Sequence, residues 1–449
     1  MSGATLKARA LRASAGELVG IGGTYALRLV STLILSRLLF PEAFGLAALV
    51  GIFNYGLVML SDVGLLQSVV QDDRGDDPKF LNTVWTVQVL RGVALWILAC
   101  ALAWPMAAIY GEADLLALIP VGSASVLILG FTSTSLMTLR RRLAVGRLVR
   151  LELAGQAVGL VAIVAWAWVA PSAWAIVAGG LVSAVFRAGV SHAIDVGYRN
   201  GIAWEPEARR TIASLGKWVY GSSALTFVGR ESDRLLLGHF MGVATLGVYT
   251  LAVVIGEAVG KAVERITRGV LFPLLSQIKR DAPKEIGEVY YRARLRLDLM
   301  GLPLLGALMA MAQTVVDLLY DPRYADAGWM LQALCLRAAM NVILVPAEVC
   351  LFSIGQARYA FDRNIGRAAW VLIGVPLAWM QWGLPGIVWV TATAEIPSVF
   401  ILWRPFIRAG LLRPSREAMA VGLFAAGLAL GWAADRGVHA AARSLGLAF

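Results

Sequence analysis

The sequence predicts an all-α, polytopic membrane helix bundle of two six-helix lobes related by a pseudo-two-fold axis along the membrane normal, with one further C-terminal span. Three observations lead there. Hydrophobic residues make up 59% of the 449-residue chain, charged residues only 15%, and the mean hydropathy is +0.71. A soluble domain carries about 25% charged residues. The charges that are present sit in short stretches between long apolar runs. Finally, the chain matches itself at one fixed offset.

Windows of about 19 residues place spans at 16–40, 41–68, 80–109, 114–139, 151–170, 173–194, 212–238, 241–270, 295–319, 326–354, 365–380, 384–403 and 417–434. The runs are long and continuous, unlike the short alternating segments of a β-barrel. The first contains Arg28 and Arg37. It lacks a charged leader followed by a small-residue cleavage site, so it reads as a span and not a removable signal. The tail 435–449 is too short to cross back.

Basic residues alternate between loops. One set holds Lys7, Arg9 and Arg12; Arg74 and Lys79; Arg140, Arg141, Arg142, Arg147 and Arg150; Arg199, Arg209 and Arg210; Lys279, Arg280, Lys284, Arg292, Arg294 and Arg296; Arg358, Arg363 and Arg367; and Arg404, Arg408, Arg413 and Arg416. Through the twelfth span the other set holds only Arg37 and Arg323. Positive loops stay in the cytoplasm, which predicts a cytoplasmic amino terminus. The opposite loops, such as Gly111-Glu112-Ala113-Asp114 and Asp321-Pro322-Arg323-Tyr324, are too small to fold as catalytic domains. The connection 276–294 is amphipathic and basic, the pattern of a segment lying on the membrane surface.

The net charge of +11 does not imply nucleic acid, because topology and lipid headgroups account for basic residues at span ends. Cys100, Cys335 and Cys350 lie in apolar runs and read as small buried hydrophobes. His192, His239 and His439 have no metal-ligand spacing. No phosphate-binding loop, nucleophile elbow or zinc-protease motif is present, and no cofactor is expected.

Aligning Gly45 with Gly247 sets an offset of 202 residues, which also pairs Thr24 with Thr226, Arg28 with Arg230, Ser31 with Asp233, Thr32 with Arg234 and Asp62 with Glu264. Asn54 falls on Gly256, so the repeat is imperfect. Six spans separate the copies, an even number, which gives both the same orientation and places a substrate path between two lobes. The lobes are 1–205 and 206–408, followed by 409–449 with one further span.

Positions 24, 28, 31 and 32 share one helix face, as do 226, 230, 233 and 234. A charge at mid-membrane costs about 2.5–3.5 kcal/mol on insertion scales, so such polar stripes face a cavity or each other. Arg28 lies roughly 18 Å into the first span. Arg28, Arg230 and Arg234, with Arg91 and Arg337, are the candidates for a cationic cavity that holds an anionic headgroup. The alternative is structural pairing, with Asp233 neutralising Arg230 or Arg234. Asp233, Glu348 and Glu395 are candidates for coupling to a cation; for the latter two a hydrogen-bonded packing role is the alternative. Asp62 and Glu264, at span ends, are candidate gate contacts or interfacial caps.

Ser36-Arg37-Leu38-Leu39-Phe40-Pro41-Glu42-Ala43-Phe44-Gly45, followed by Asp62-Val63-Gly64-Leu65, resembles the opening hairpin of the polysaccharide-transport flippases. That family, of the oligosaccharide and O-antigen type, sits in the superfamily that also holds multidrug exporters and lipid II flippases. Asp233-Arg234-Leu235-Leu236-Leu237-Gly238, then Gly242 and Leu246-Gly247-Val248-Tyr249, is similar to the family's start of a second lobe, and Phe272-Pro273-Leu274-Leu275-Ser276 to its close of the eighth span. The likeness runs from about residue 15 to about 410. It implies alternating access and movement of an undecaprenyl-pyrophosphate-linked glycan from the cytoplasmic to the periplasmic leaflet of a bacterial inner membrane. Coupling to H+ or Na+ and glycan polymerase machinery as a partner belong to the same expectation, as does contact with membrane lipid. Many members carry two spans after the twelfth, whereas one is clear here.

Three other functions compete. A multidrug exporter takes cationic substrates and calls for acids in its cavity, where this chain has arginines. A lipid II flippase would carry a similar anion. A glycan polymerase or ligase, an enzyme, needs a large outer loop that the sequence lacks.

Overall fold

The computed structural model describes residues 3–194, 197–356 and 358–444, with side chains described except at 3–19, 21, 213–219, 222, 224–226 and 228–230. The described residues form helices joined by turns and short loops, without a strand. In chain order the helices are α1 (Gly3–Leu38), α2 (Pro41–Met59), α3 (Leu65–Gln71), α4 (Pro78–Tyr110), α5 (Leu115–Gly130), α6 (Ser135–Arg141), α7 (Val145–Val169), α8 (Ala173–Ala193), α9 (Pro206–Ile266), α10 (Phe272–Asp281), α11 (Ile286–Ala310), α12 (Ala312–Leu319), α13 (Ala327–Ser353), α14 (Arg358–Ala392), α15 (Ile396–Arg408) and α16 (Pro414–Ser444). Among the described residues, eight helical stretches are long and apolar enough to cross a membrane, or up to ten when each sharply bent pair counts as one. The chain is a multi-pass membrane protein.

Two apolar stretches, Glu231–Asp281 and Arg358–Arg408, each run 51 residues. A straight helix of that length would be about 76 Å long, against a hydrocarbon core of about 30 Å. Glycines break both. Gly242 (φ 80°) and Gly383 (φ 58°) leave helical geometry in the left-handed half of conformational space, where a Cβ would collide with the following carbonyl. These breaks fall at the boundaries that sequence placed between the seventh and eighth spans and between the eleventh and twelfth.

Three spans read as continuous are interrupted. The stretch 41–68 ends as a helix at Met59, and Asp62 and Gly64 (φ 67°) turn the chain before α3. The stretch 114–139 bends by 61° between α5 and α6, and 295–319 by 73° between α11 and α12. Hydropathy averages over each break because the turn residues, such as Phe131 and Met311, are themselves apolar.

Two compact units result. The first comprises Met1–Glu231 with Gly242–Gly247, the second Ser232–Met241 with Val248–Phe449. Within the first, α4 packs on α5, α7 on α8 and α1 on α7. At one end Leu65, Val69, Phe80, Leu81 and Val84 form a core with Ala208 and Ile212. The two glycines that define the sequence repeat also meet here. A Cβ on Gly45 would overlap the carbonyl oxygen of Val243, and one on Gly247 would overlap that of Pro41. Val243 is Pro41 shifted by 202, so the crossing maps onto itself when the repeats are exchanged.

In the second unit α11, α13 and α16 enclose a core that includes Leu302, Leu305, Val342, Tyr290 and Phe406. Arg294 is 2% exposed and makes a bidentate pair with Glu417 (Nη1–Oε1 2.5 Å, Nη2–Oε2 2.8 Å). Asp298 lies 3.2 Å from the Nε of Arg294, and Tyr291 donates to Glu417 at 3.1 Å. This fork ties α16 to α11 from opposite ends of the unit's sequence. Arg294 therefore belongs to a buried cluster and not to the solvated loop charges with which it was counted.

Candidate functional site

Polar side chains inside apolar helices are the candidates for chemistry, and the two units treat them differently. In the first unit, α1 presents Arg28 as an exposed residue, without an ion pair or hydrogen bond among the described residues. One turn earlier, Thr24 accepts a 3.4 Å hydrogen bond from Gln156 of α7. Arg91 of α4 donates from Nε to Ser61 Oγ (3.0 Å) and from Nη2 to the carbonyl of Val58 (2.5 Å). It thereby caps the carboxyl end of α2, where carbonyls have no partner in the helix and the dipole favours a cation. Two of its donor groups are already committed to this cap. Asp62 accepts from the amide of Gly64 (3.0 Å) and from Ser223 Oγ (3.4 Å), so it shapes the turn after α2. Arg230, and with it Thr226, lies outside the described side chains.

Arg187 of α8 escaped sequence reasoning. Its stem packs over Gly155 of α7, and its Nε is buried without a hydrogen-bond partner. The signal was available, as an arginine inside an apolar run, but Arg187 has no partner in the repeat alignment.

The second unit gathers its charges into one network. Arg337 of α13 spans two carboxylates of α9: Nη1 lies 2.6 Å from Asp233 Oδ2, and Nη2 lies 2.7 Å from Glu257 Oε1. Arg234 Nη2 stands 3.8 Å from the same Glu257 oxygen, and Tyr249 donates to Asp233 Oδ2 at 3.2 Å. Asn341, one turn along α13, donates to the Arg337 carbonyl and accepts from Arg363 Nη2 at 2.8 Å. Arg363 of α14 then pairs with Glu348 (2.5 Å) and Glu395 (2.9 Å). Glu395 is fully buried, holding Arg367 at 3.2 Å and Ser398 Oγ at 2.8 Å. On the other side, Glu348 meets Arg268 (3.1 Å), which reaches Glu264 (3.2 Å), itself 3.7 Å from Lys261. Six bases face five acids along this path.

Arg268 lies in a single π turn, Thr267–Leu271, directly before Phe272-Pro273. Proline has no amide hydrogen to continue an α-ladder, and a π turn re-aims side chains locally.

Among the sequence candidates, the structure brings Asp233, Arg234 and Arg337 into one cluster and Glu348 and Glu395 into a neighbouring one. Arg28 and Arg91 belong to the first unit. Glu348 and Glu395, read as lone acids, each hold arginines. Glu257, Arg268, Asn341, Arg363 and Arg367 were missed. Arg363, 5% exposed, had been counted with the solvated loop charges. The i, i+4 spacing of Arg363 and Arg367 on a helix start was the one hint that they share a partner.

A family model described as polysaccharide biosynthesis protein matches residues 34–328. The succinoglycan biosynthesis transport protein ExoT of Rhizobium meliloti is 22% identical over 417 residues, covering 90% of this chain and 82% of its own length. The lipopolysaccharide biosynthesis protein WzxC of Escherichia coli is 20% identical over 404 residues, covering 87% and 79%. Among solved structures, the lipid II flippase MurJ in an inward closed conformation superposes with a TM-score of 0.71 at 13% identity, over 94% of this chain and 92% of that one. An inward-facing multidrug transporter of the MATE family gives 0.65 at 12% identity, over 89% and 95%. The chain shares the fold of these two structures.

Proposed function

Because the chain belongs to the polysaccharide biosynthesis protein family, we propose that it flips an undecaprenyl-pyrophosphate-linked oligosaccharide from the cytoplasmic to the periplasmic leaflet of the bacterial inner membrane. The observation that carries this reading is Arg28, an exposed arginine within an apolar helix and without a counter-ion among the described residues. A cation in that position faces water or an anion, since lipid would cost several kcal/mol. A pyrophosphate headgroup matches the flat donor fork of a guanidinium. The relatives named for transport and synthesis of surface polysaccharides support a glycan as the cargo. Lobes 1–205 and 206–408 alternate access, followed by 409–449 with one further span. The amino terminus is cytoplasmic, as the loop charges favour. A cysteine near Arg142 would stay shielded from outside labelling in intact cells, and one near Ala113 would react.

No covalent step is involved, so directed transport draws on a gradient or on glycan consumption at the far side by polymerase machinery. Asp233 is the coupling acid, because it stands where the first repeat has Ser31.

Arg28→Ala tests the substrate. Surface glycan export should fall to background while the protein accumulates normally in the membrane. Lysine should restore little, lacking the bidentate fork. Full export by a normally expressed Arg28→Ala variant would remove the basis of the reading. Asp233→Asn tests coupling: flipping in proteoliposomes should no longer respond to an imposed H+ or Na+ gradient. An unchanged response excludes Asp233.

A further inference from the structure

Arg337 of the second unit is already occupied. Arg337 gives one arm of its fork to Asp233 and the other to Glu257, and Arg234 approaches Glu257 as well. Arg337 and Asp233 side chains are 14% and 5% exposed. These four groups sum to zero charge. A diphosphate entering beside both carboxylates would place like charges a few ångströms apart in a medium that screens them weakly, a repulsion relieved when a carboxylate leaves the fork.

We infer that this quartet is an anion site held in reserve by its own carboxylates: a diphosphate reaches the Arg337 fork only by displacing Asp233 or Glu257, and each displaced carboxylate takes up a proton. The inference rests on the proposed pyrophosphate substrate and adds the rule by which that substrate and protons are linked. The geometry fits a one-for-one exchange. Each carboxylate occupies one arm of the Arg337 fork, at 2.6 and 2.7 Å, the spacing that a phosphate oxygen would take. The proton moves from solvent to the released oxygen, Oδ2 of Asp233 or Oε1 of Glu257, and both guanidiniums keep theirs. Among the described residues, the charged and titratable groups facing the two carboxylates are Arg234 and Tyr249 from α9 and Arg337 from α13; α14 adds the neutral Thr391 beside Tyr249. Tyr249 donates to Asp233 Oδ2, and after displacement its hydroxyl is available to the incoming anion.

This arrangement also explains why the second unit carries Asp233 and Arg234 where the first carries Ser31 and Thr32. An acid and a base added together keep the apolar helix neutral at rest. The anion releases the acid and uses the base.

The test uses the full-length protein in detergent and farnesyl pyrophosphate as probe, with affinity measured calorimetrically between pH 6 and 8 in buffers of different ionisation enthalpy. Because the probe titrates too, the readout is the difference between wild type and variants. Wild type should take up more protons per bound probe than Asp233→Asn or Glu257→Gln. At pH 8 either variant should bind roughly tenfold more tightly than wild type, as expected when one like charge is removed from the site. Both substitutions preserve shape, and a melting curve establishes folding. If one fails to fold, the other carries the measurement. Variants that bind no more tightly than wild type, with the same proton uptake, overturn the inference. Arg337→Ala separates the two levels. Loss of binding in Arg28→Ala with none in Arg337→Ala refutes the reserve site and leaves the substrate reading intact. Unchanged binding in both refutes the substrate reading itself.

Discussion

The two units are built from one repeat, yet they hold arginine in opposite ways. In the first unit Arg28 stands exposed, Arg91 caps a helix end near the charge of Asp62, and Arg187 has a buried Nε without a hydrogen-bond partner; among the described residues none of the three has a carboxylate within ion-pair distance. In the second unit Arg234, Arg268, Arg337, Arg363 and Arg367 all reach acids. A cation inside a membrane protein is tolerated by a polar cavity or by a counter-ion. The second unit relies on counter-ions, whereas Arg91 of the first is held by a hydroxyl and a helix-end carbonyl.

Breaking the second unit's pairing should have the largest effect. Glu395→Ala strands Arg367 and half of Arg363 in a buried site, a class of change that costs about 3–5 kcal/mol. The protein should fail to accumulate in membranes, and joint replacement by Arg363→Met with Glu395→Leu should recover much of the loss. Normal accumulation and melting of Glu395→Ala would show that the network is solvated and that the contrast between units is false.

Next in size is the glycine crossing within the first unit. Gly247→Val inserts a side chain where the carbonyl of Pro41 sits, with overpacking of about 1–3 kcal/mol or more. Gly45→Val should match it in both melting temperature and export, because the contact is reciprocal. A large difference between the two would mean that the repeats are not equivalent at their meeting point.

Arg91→Met sharpens the distinction within the first unit. It removes charged hydrogen bonds worth about 1.5–3 kcal/mol to the end of α2. The loss should appear as a lower melting temperature with export reduced in proportion to the protein that remains. Arg28→Ala should do the reverse, ending export at an unchanged melting temperature. If both behave alike, structural and substrate-facing arginines are not distinguishable here.

The smallest effect is at the loop before α4. Hydrogen bonding and charge from Arg142, with Arg141, hold the Asp76 carboxyl below its ordinary range against a smaller opposing effect of burial. The pair is about half exposed, so its worth is at most about 1 kcal/mol. A carboxylate whose folded value is depressed contributes above its unfolded value, near 4, and that contribution fades as pH falls through the folded one. Asp76→Asn should therefore melt slightly below wild type at pH 7, with the gap closing in acid. A gap that widens in acid would contradict the assignment.

Much of this was legible in the chain. Apolar runs of span length, the span boundaries near 238–241 and 380–384, and the polar stripe carrying Asp233 and Arg234 follow from local composition and helical periodicity. Arg294 and Arg363 show where that reading stops. Each sits close to a span end, where position alone reads as a solvated loop charge. Their carboxylates, Glu417 and Glu395, come from distant segments, 123 and 32 residues along the chain. Glu257 was passed over for the same reason: its partner Arg337 is 80 residues away.

By itself, then, the sequence determined that the chain crosses a membrane many times as helices and that two of its parts share one design. Both follow from short-range properties: apolar runs long enough to span hydrocarbon, and a backbone that must satisfy its own hydrogen bonds there. Which arginines stay exposed and which are neutralised was decided only by tertiary packing. A charge in a low-dielectric interior is governed by whatever stands within a few ångströms of it, and sequence distance does not report that neighbour.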